Sequence, residues 1–278
     1  MKIDAHQHFW NYTEDAADFT WMSDDLYALK RNFMPDDLAP LMATMGMEGS
    51  IAVQAREVVA ETDFLLKLAK DHLSIKGVVG WLDLCADDVE ASLESYDGNS
   101  KLKGFRMLIH DRPDVNFADS RGHLQGVSIL KEYGYTYDLL LRTIHLPAAI
   151  RLVNKFQNQP FVVDHIAKPA MDGSDWEAWK DGIEKISQFP NVMCKLSGLV
   201  TEGDWKDWNA SNFVPYLDTV IEAFGADRLM IGSDWPVCTI ASGYQPTMGI
   251  VTQWVEKLTL TEQSAIMGDT CAQFYSVT

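Results

Sequence analysis

The sequence predicts an α/β protein folded as a single (β/α)8 barrel of the TIM type, one domain over residues 1–278. Three observations predict it. Short β-rich runs alternate with amphipathic helical stretches along the whole chain. Several runs are almost continuously apolar (IAV, VVGWL, FVV, LMI), as strands of a parallel sheet covered on both faces are. Polar and titratable residues recur where these runs end, the place where such barrels carry their active sites. No G-x-G-x-x-G follows the first run, so nothing marks a dinucleotide site.

The elements follow in order. The first strand, 2–6, ends in Asp4-Ala5-His6-Gln7-His8. A long connection, about 9–35, then carries Trp10, Tyr12, Phe19, Trp21 and Tyr27, and a connection of that length predicts a lid or binding loop. The second strand is 50–54, and the helix over 62–72 sets Phe64, Leu65, Leu68 and Ala69 on one face. The third strand is 75–82, followed by a helix over 87–96 whose acidic start suits a helix N-terminus. The fourth strand, 102–108, carries Arg106 and runs into His110-Asp111. The fifth, 136–141, carries Asp138 and ends near Arg142; its helix, 146–156, opens on Pro147. The sixth, 160–163, ends in Asp164-His165 with Lys168 just beyond, before a helix over 176–189. The seventh, 192–195, carries Lys195 and leads to Ser197, before a helix over 213–224. The eighth, 229–232, ends in Ser233-Asp234-Trp235.

Composition narrows the partners. Lys and Arg number 23 against 40 Asp and Glu, a formal charge of −17. Nucleic acid needs a basic footprint, and an anionic membrane surface needs the same. Neither partner is expected, and no apolar run reaches the ~18 residues of a membrane span. The four cysteines form no CxxC pair and no zinc-ribbon spacing, so reduced thiols and a cytoplasmic setting are expected. Lys2 leads at once to Ile3, Asp4 and His6 rather than into a basic-then-apolar leader. An assembly of identical chains is left open.

Candidate chemistry sits at the strand ends. His6 and His8 are two apart, a spacing that turns both imidazoles to one face of a strand, where they can share a metal ion or a substrate oxygen. Asp234 after the eighth strand can take a proton from an attacking water. His165 after the sixth can bind metal, orient water or assist a leaving group. Arg106 and Lys195 point inward if their parity holds, pairing with Asp138 or Asp164 or holding substrate oxygens. Arg142, His110 and Asp111 are placed to line the mouth. Trp10, Trp81 and Trp235 could stack on a ligand ring, packing being the competing reading.

Five stretches carry a resemblance: IDAHQHFW at 3–10, GFR at 104–106, VDHIAKP at 163–169, CKLSGL at 194–199 and GSDWP at 232–236. Together they resemble the amidohydrolase superfamily, in the metal-dependent-hydrolase-like branch of sugar-lactone hydrolases. HDRPD at 110–114 and TYDLL at 136–140 resemble its L-fuconolactonase and L-rhamnonolactonase members. The resemblance implies activated-water hydrolysis, with His6, His8, His165 and Asp234 at the family's strand-end positions. Binuclear members place a carboxylated lysine after the fourth strand; here the chain reads Met107-Leu108-Ile109-His110. The histidine many members carry after the fifth strand has no clear counterpart, because His145 stands where the next helix should begin. At most one divalent ion, zinc by its imidazole ligands, is therefore expected, bound through His6 and His8 with Asp234 or His165. Metal-free catalysis with Arg106 and Lys195 as electrophile is the open alternative.

The leading expectation is a lactonase of carbohydrate metabolism acting on a neutral sugar-acid lactone, with Asp234 and His165 catalytic. Arg106, Lys195, His110, Arg142 and Trp10 are the expected substrate contacts. A neutral substrate suits the acidic chain, and the anionic aldonate product would be repelled. The alternatives are a hydrolase of a dicarboxylate lactone in aromatic catabolism, a barrel decarboxylase of the same superfamily, and a sugar-acid-binding protein without catalysis.

Overall fold

Eight strands pair in sequential order in one parallel sheet, seen in a computed structural model that describes residues 1–278. They are β1 (Ile3–Gln7), β2 (Gly49–Val53), β3 (Ile75–Gly80), β4 (Leu102–Met107), β5 (Thr136–Leu139), β6 (Phe161–Val163), β7 (Val192–Leu196) and β8 (Leu229–Ile231). The barrel closes just past the end of β8. Asp234 N–H donates to the His6 carbonyl at 2.8 Å, and His8 N–H donates to the Trp235 carbonyl. Most strands end within two residues of the apolar runs that predict them, because the last residues leave the ladder to form the turns that carry the site.

A helix follows each strand: α1 (Pro35–Thr44), α2 (Val59–Asp71), α3 (Val89–Glu94), α4 (Arg121–Leu130), α5 (Leu146–Lys155), α6 (Trp176–Ile186), α7 (Ala210–Phe224) and α8 (Tyr244–Trp254). Local chemistry fixes their starts. Pro35 stands in the first turn of α1, where its missing N–H costs nothing, and the Asp37 carboxylate accepts from Met34 N–H at 2.8 Å. Asn209 caps α7 by accepting from Ser211 N–H at 3.0 Å. The helices α1, α4 and α8 lie outside the helical stretches marked by sequence periodicity, and α2 starts three residues earlier than its pattern.

Two apolar layers hold the barrel. The outer one packs helices on strands through residues such as Phe105, Tyr137, Phe161, Leu217 and Trp179. The inner one fills the barrel's lower half with Ile3, Ala5, Val53, Val79, Val162 and Met230. The C-terminal segment joins this inner layer through Cys271, Tyr275 and Val277. The connection 9–35 is folded into short turns, with helical pieces at Tyr12–Asp15, Ala16–Asp18 and Asp24–Leu29. No helix is long and apolar enough to cross a membrane.

Candidate active site

β1 places the first two histidines, but not by simple alternation. The register between β1 and β2 slips between Asp4 and Gln7, so the strand carries one extra residue there. Ile3 and Ala5 face the inner apolar layer, and the bulge lets His6 turn inward above them. His8 lies one residue past the strand, held inward by the backbone bond that closes the barrel. Gly232 allows this closure, since a Cβ there would stand 2.8 Å from the His6 Cβ. Asp234 comes round from β8 with φ +56°, a left-handed backbone that Asp tolerates better than most residues.

β6 ends in a left-handed turn of four residues: His165, Ile166, Ala167 and Lys168 have φ of 53°, 48°, 63° and 45°. For a β-branched residue such as Ile166 this is a strained conformation. Trp179 Nε1–H donates to the Ile166 carbonyl at 2.7 Å, and Lys168 N–H donates to the His165 carbonyl at 2.8 Å, which together pin the turn. The turn aims His165 into the barrel beside Ser197, whose Oγ is 2.8 Å from Nδ1. Gly198 makes room, because a Cβ there would meet that imidazole at 2.6 Å.

The four groups meet at one point. Asp234 Oδ1 lies 3.2 Å from His8 Nε2, 3.8 Å from His165 Nε2 and 3.9 Å from His6 Nε2. All four side chains are buried. Burial pushes His6 and His165 well below the ordinary histidine range, so both are neutral. Burial alone would raise the Asp234 carboxyl, but it is held below the usual value, the Lys168 ammonium contributing, so it is ionised.

The arrangement fits a metal ion. His8 Nδ1 is 2.7 Å from the Val53 carbonyl, which can only accept, so Nδ1 carries the proton and Nε2 presents a lone pair. That lone pair faces a carboxylate oxygen at 3.2 Å, two acceptors with nothing between them unless a cation or a proton is shared. His6, His8 and Asp234 offer ligand atoms within 4.8 Å of one another. His6 Nε2 is also 3.2 Å from Arg106 Nη1, so a cation there would compete with the guanidinium.

Beneath these groups lies a buried ionic network. Asp164 pairs with Arg106 at 3.1 Å, with Lys195 at 3.0 Å and with His6 Nδ1 at 3.3 Å. Lys195 also meets Asp138 at 2.5 Å, and Tyr275 Oη donates to the same carboxylate at 2.8 Å. Burial would raise the Asp164 carboxyl, yet Lys195, His6 and Arg106 hold it well below the usual range. Burial would lower the Lys195 ammonium, but Asp138 and Asp164 raise it. Two cations and two carboxylates balance, which makes so much buried charge tolerable.

A cavity of about 130 Å³ opens over the site. Its polar side holds His8, Arg106, His110, His165, Lys168 and Asp234, and its apolar side holds Trp21, Leu108, Leu140 and Val237. His110 is mostly buried with no partner for Nδ1, and burial followed by the charges of Lys168 and Arg142 pushes it down to about 2. Of the substrate contacts expected from sequence, Arg106 and His110 line the cavity, and Lys195, Arg142 and Trp10 do not. Lys195 is sealed in the network below. Arg142 is about half exposed and pairs with Glu202 at 3.2 Å. Trp10 is buried under the long connection, donating to the Arg31 carbonyl at 2.8 Å, with Phe33 and Trp21 around it. Trp235 is likewise packed, against Phe9 and Phe33. His145 lies in the short turn ahead of α5 and accepts from Arg142 N–H, as its position before Leu146-Pro147 suggested. Trp21 stood out in the sequence only as one of five aromatics of the long connection, and Leu140 not as a contact at all, since nothing in an aperiodic loop or an apolar strand end separates a wall residue from a core residue.

Comparison with known proteins agrees with this geometry. The chain is 39% identical to an L-fucono-1,5-lactonase of Burkholderia multivorans, covering all of this chain and 96% of that protein. It is 33% identical to an L-fucono-1,5-lactonase of Burkholderia ambifaria, again over all of this chain and 96% of the other. A crystal structure of an amidohydrolase from Burkholderia multivorans with bound zinc superposes with a TM-score of 0.95 at 39% identity, both chains covered in full. The amidohydrolase family model matches residues 3–277, and the chain belongs to that family.

Proposed function

We propose that this protein is a lactonase that opens a sugar-acid lactone, such as L-fucono-1,5-lactone, to the aldonic acid. The observation that carries this reading is the buried meeting of His6, His8, His165 and Asp234 on the floor of a small cavity. Full-length relatives named for this reaction support it.

The roles follow from geometry and charge. Asp234 is ionised and buried, so it accepts the proton of the attacking water. Once protonated, it returns that proton to the departing ring oxygen, with His165 Nε2 beside it at 3.8 Å. Arg106 faces the cavity with a fixed positive charge and stabilises the oxyanion that develops on the carbonyl. His110, neutral and with Nδ1 unpartnered, hydrogen-bonds a ring hydroxyl. The connection 9–35 reaches the cavity through Trp21, which contributes an apolar wall. His6, His8 and Asp234 would hold one divalent ion, zinc by ligand type, which when bound supplies carbonyl polarisation and a more acidic water.

A dicarboxylate lactone fits less well. It would need further free guanidinium groups at the mouth besides Arg106, but Arg142 is tied to Glu202 and Arg112 to Glu57. A pH-indicator assay over a panel of aldonolactones tests the reading, with carbon-dioxide release as the control for decarboxylation. Turnover of L-fucono-1,5-lactone is expected; no turnover of any aldonolactone by folded, zinc-supplied protein rejects it.

A further inference from the structure

Trp21 stands between two cavities. One is the catalytic cavity of about 130 Å³, and the other is an outer cavity of about 550 Å³. Trp21, Ala55, Leu108 and Asp111 line both. Trp21 is the largest of these four and comes from the long connection rather than from a strand. Its indole is fixed in place: Nε1–H donates to the Ala55 carbonyl at 3.0 Å, and the ring meets Trp10 edge-on at 6.0 Å.

The outer cavity has the chemistry of a polyol site. Asp18, Glu57, Asp111 and Arg112 line it. Glu57 is held by Arg112 Nη2 at 2.6 Å and by Leu108 N–H at 3.1 Å, so its carboxylate is oriented. Asp18 is partly exposed and held by Arg56 at 3.1 Å. Fixed carboxylates and guanidinium groups accept from and donate to vicinal hydroxyls without further ordering. Trp21, Leu108 and Ala55 present apolar atoms to both cavities, and Asp111 is the one charged residue the two share.

We infer that Trp21 is a specificity-determining residue: it closes the catalytic cavity around one lactone ring and separates it from an outer cavity able to hold a second sugar. This inference rests on the lactonase reading. The wild type accepts compact aldonolactones, and removing the indole joins the cavities and admits lactones that bear a glycosyl substituent.

The test compares wild type, Trp21→Phe and Trp21→Ala, each checked for an unchanged melting temperature. The substrates are L-fucono-1,5-lactone and the same lactone carrying one glycosyl unit on O3 or O4. For Trp21→Ala, KM for the compact lactone should rise about tenfold, as expected for one lost aromatic wall. The ratio of kcat/KM between glycosylated and compact lactone should rise at least tenfold. Trp21→Phe, which keeps a ring, should stay near the wild-type ratio. An unchanged ratio and KM in Trp21→Ala overturn the inference while leaving the lactonase reading intact. If the wild type hydrolyses neither lactone, that reading fails, and calorimetric binding of the two parent sugar acids decides the partition. A shift of Trp21→Ala toward the glycosylated acid upholds it, and equal preference in both proteins overturns it.

Discussion

At the scale of single residues, Asp234 carries the sharpest expectation. Asp234→Asn keeps the volume and removes the base, so kcat should fall by ~10²–10⁴-fold with the fold intact. Near-normal turnover in a folded variant would remove Asp234 from the proton transfer. His8 gives the metal expectation. Its Nδ1 bond to Val53 leaves Nε2 as a ligand lone pair, so protein purified without chelator should contain close to one equivalent of zinc, and His8→Ala should contain far less by elemental analysis. Two tightly held equivalents, or full wild-type activity in EDTA with no metal, contradict this; the second result would move the electrophile role to Arg106. Much of this cluster was legible in the sequence, because His6, His8, His165 and Asp234 each end or follow an apolar run. Depth was not legible. Parity turns Lys195 inward, but only the three-dimensional register shows it sealed beneath the cavity against Asp138 and Asp164.

At the scale of elements, α4 and β5 meet through a histidine that plays no part in the site. His123 Nδ1–H donates to the Ala118 carbonyl at 2.9 Å, and Nε2 lies 2.7 Å from Tyr137 Oη on β5. Burial lowers this histidine to about 4 from its ordinary 6.5. The unfolded chain therefore takes up a proton before the folded one does. The stability due to neutral His123 is complete above pH 6.5 and is lost as pH falls toward 4, about 3 kcal/mol across that window. Urea unfolding at several pH values should show a shallower acid loss in His123→Gln than in wild type; parallel curves would mean that His123 titrates alike in both states. The helix α4 itself escaped the sequence reading, as did α1 and α8. Their apolar positions are interrupted by Gly122, Gly126, Pro40 and Gly249, which blur the period that marks a helix. The strands were easier to find because burial on both faces leaves them almost wholly apolar. The β1 bulge left no sequence signal, yet it is what turns His6 inward.

At the scale of the whole molecule, the barrel topology was legible from strict alternation, and its closure was not, since that depends on residues 6–8 meeting 234–235 across nearly the full chain. The net charge was legible too, and it carries the last expectation. A formal charge of −17 surrounds a site whose proposed substrate is neutral and whose product is an anion. The long-range field acts on the product alone. At ~10 mM salt the Debye length is roughly 30 Å and the field spans the molecule, whereas at ~0.15 M it is roughly 8 Å and distant carboxylates are screened. Product release should therefore be favoured most at low salt. The inhibition constant of the aldonate should fall as salt rises, on the order of three- to tenfold between these concentrations, while KM for the neutral lactone stays level. Arg106 and Lys168 at the cavity act in the opposite sense, but Asp164 and Glu202 neutralise them at close range, so the distant charge should dominate. Inhibition that weakens with added salt would show that these two cations, and not the acidic surface, set the affinity for product.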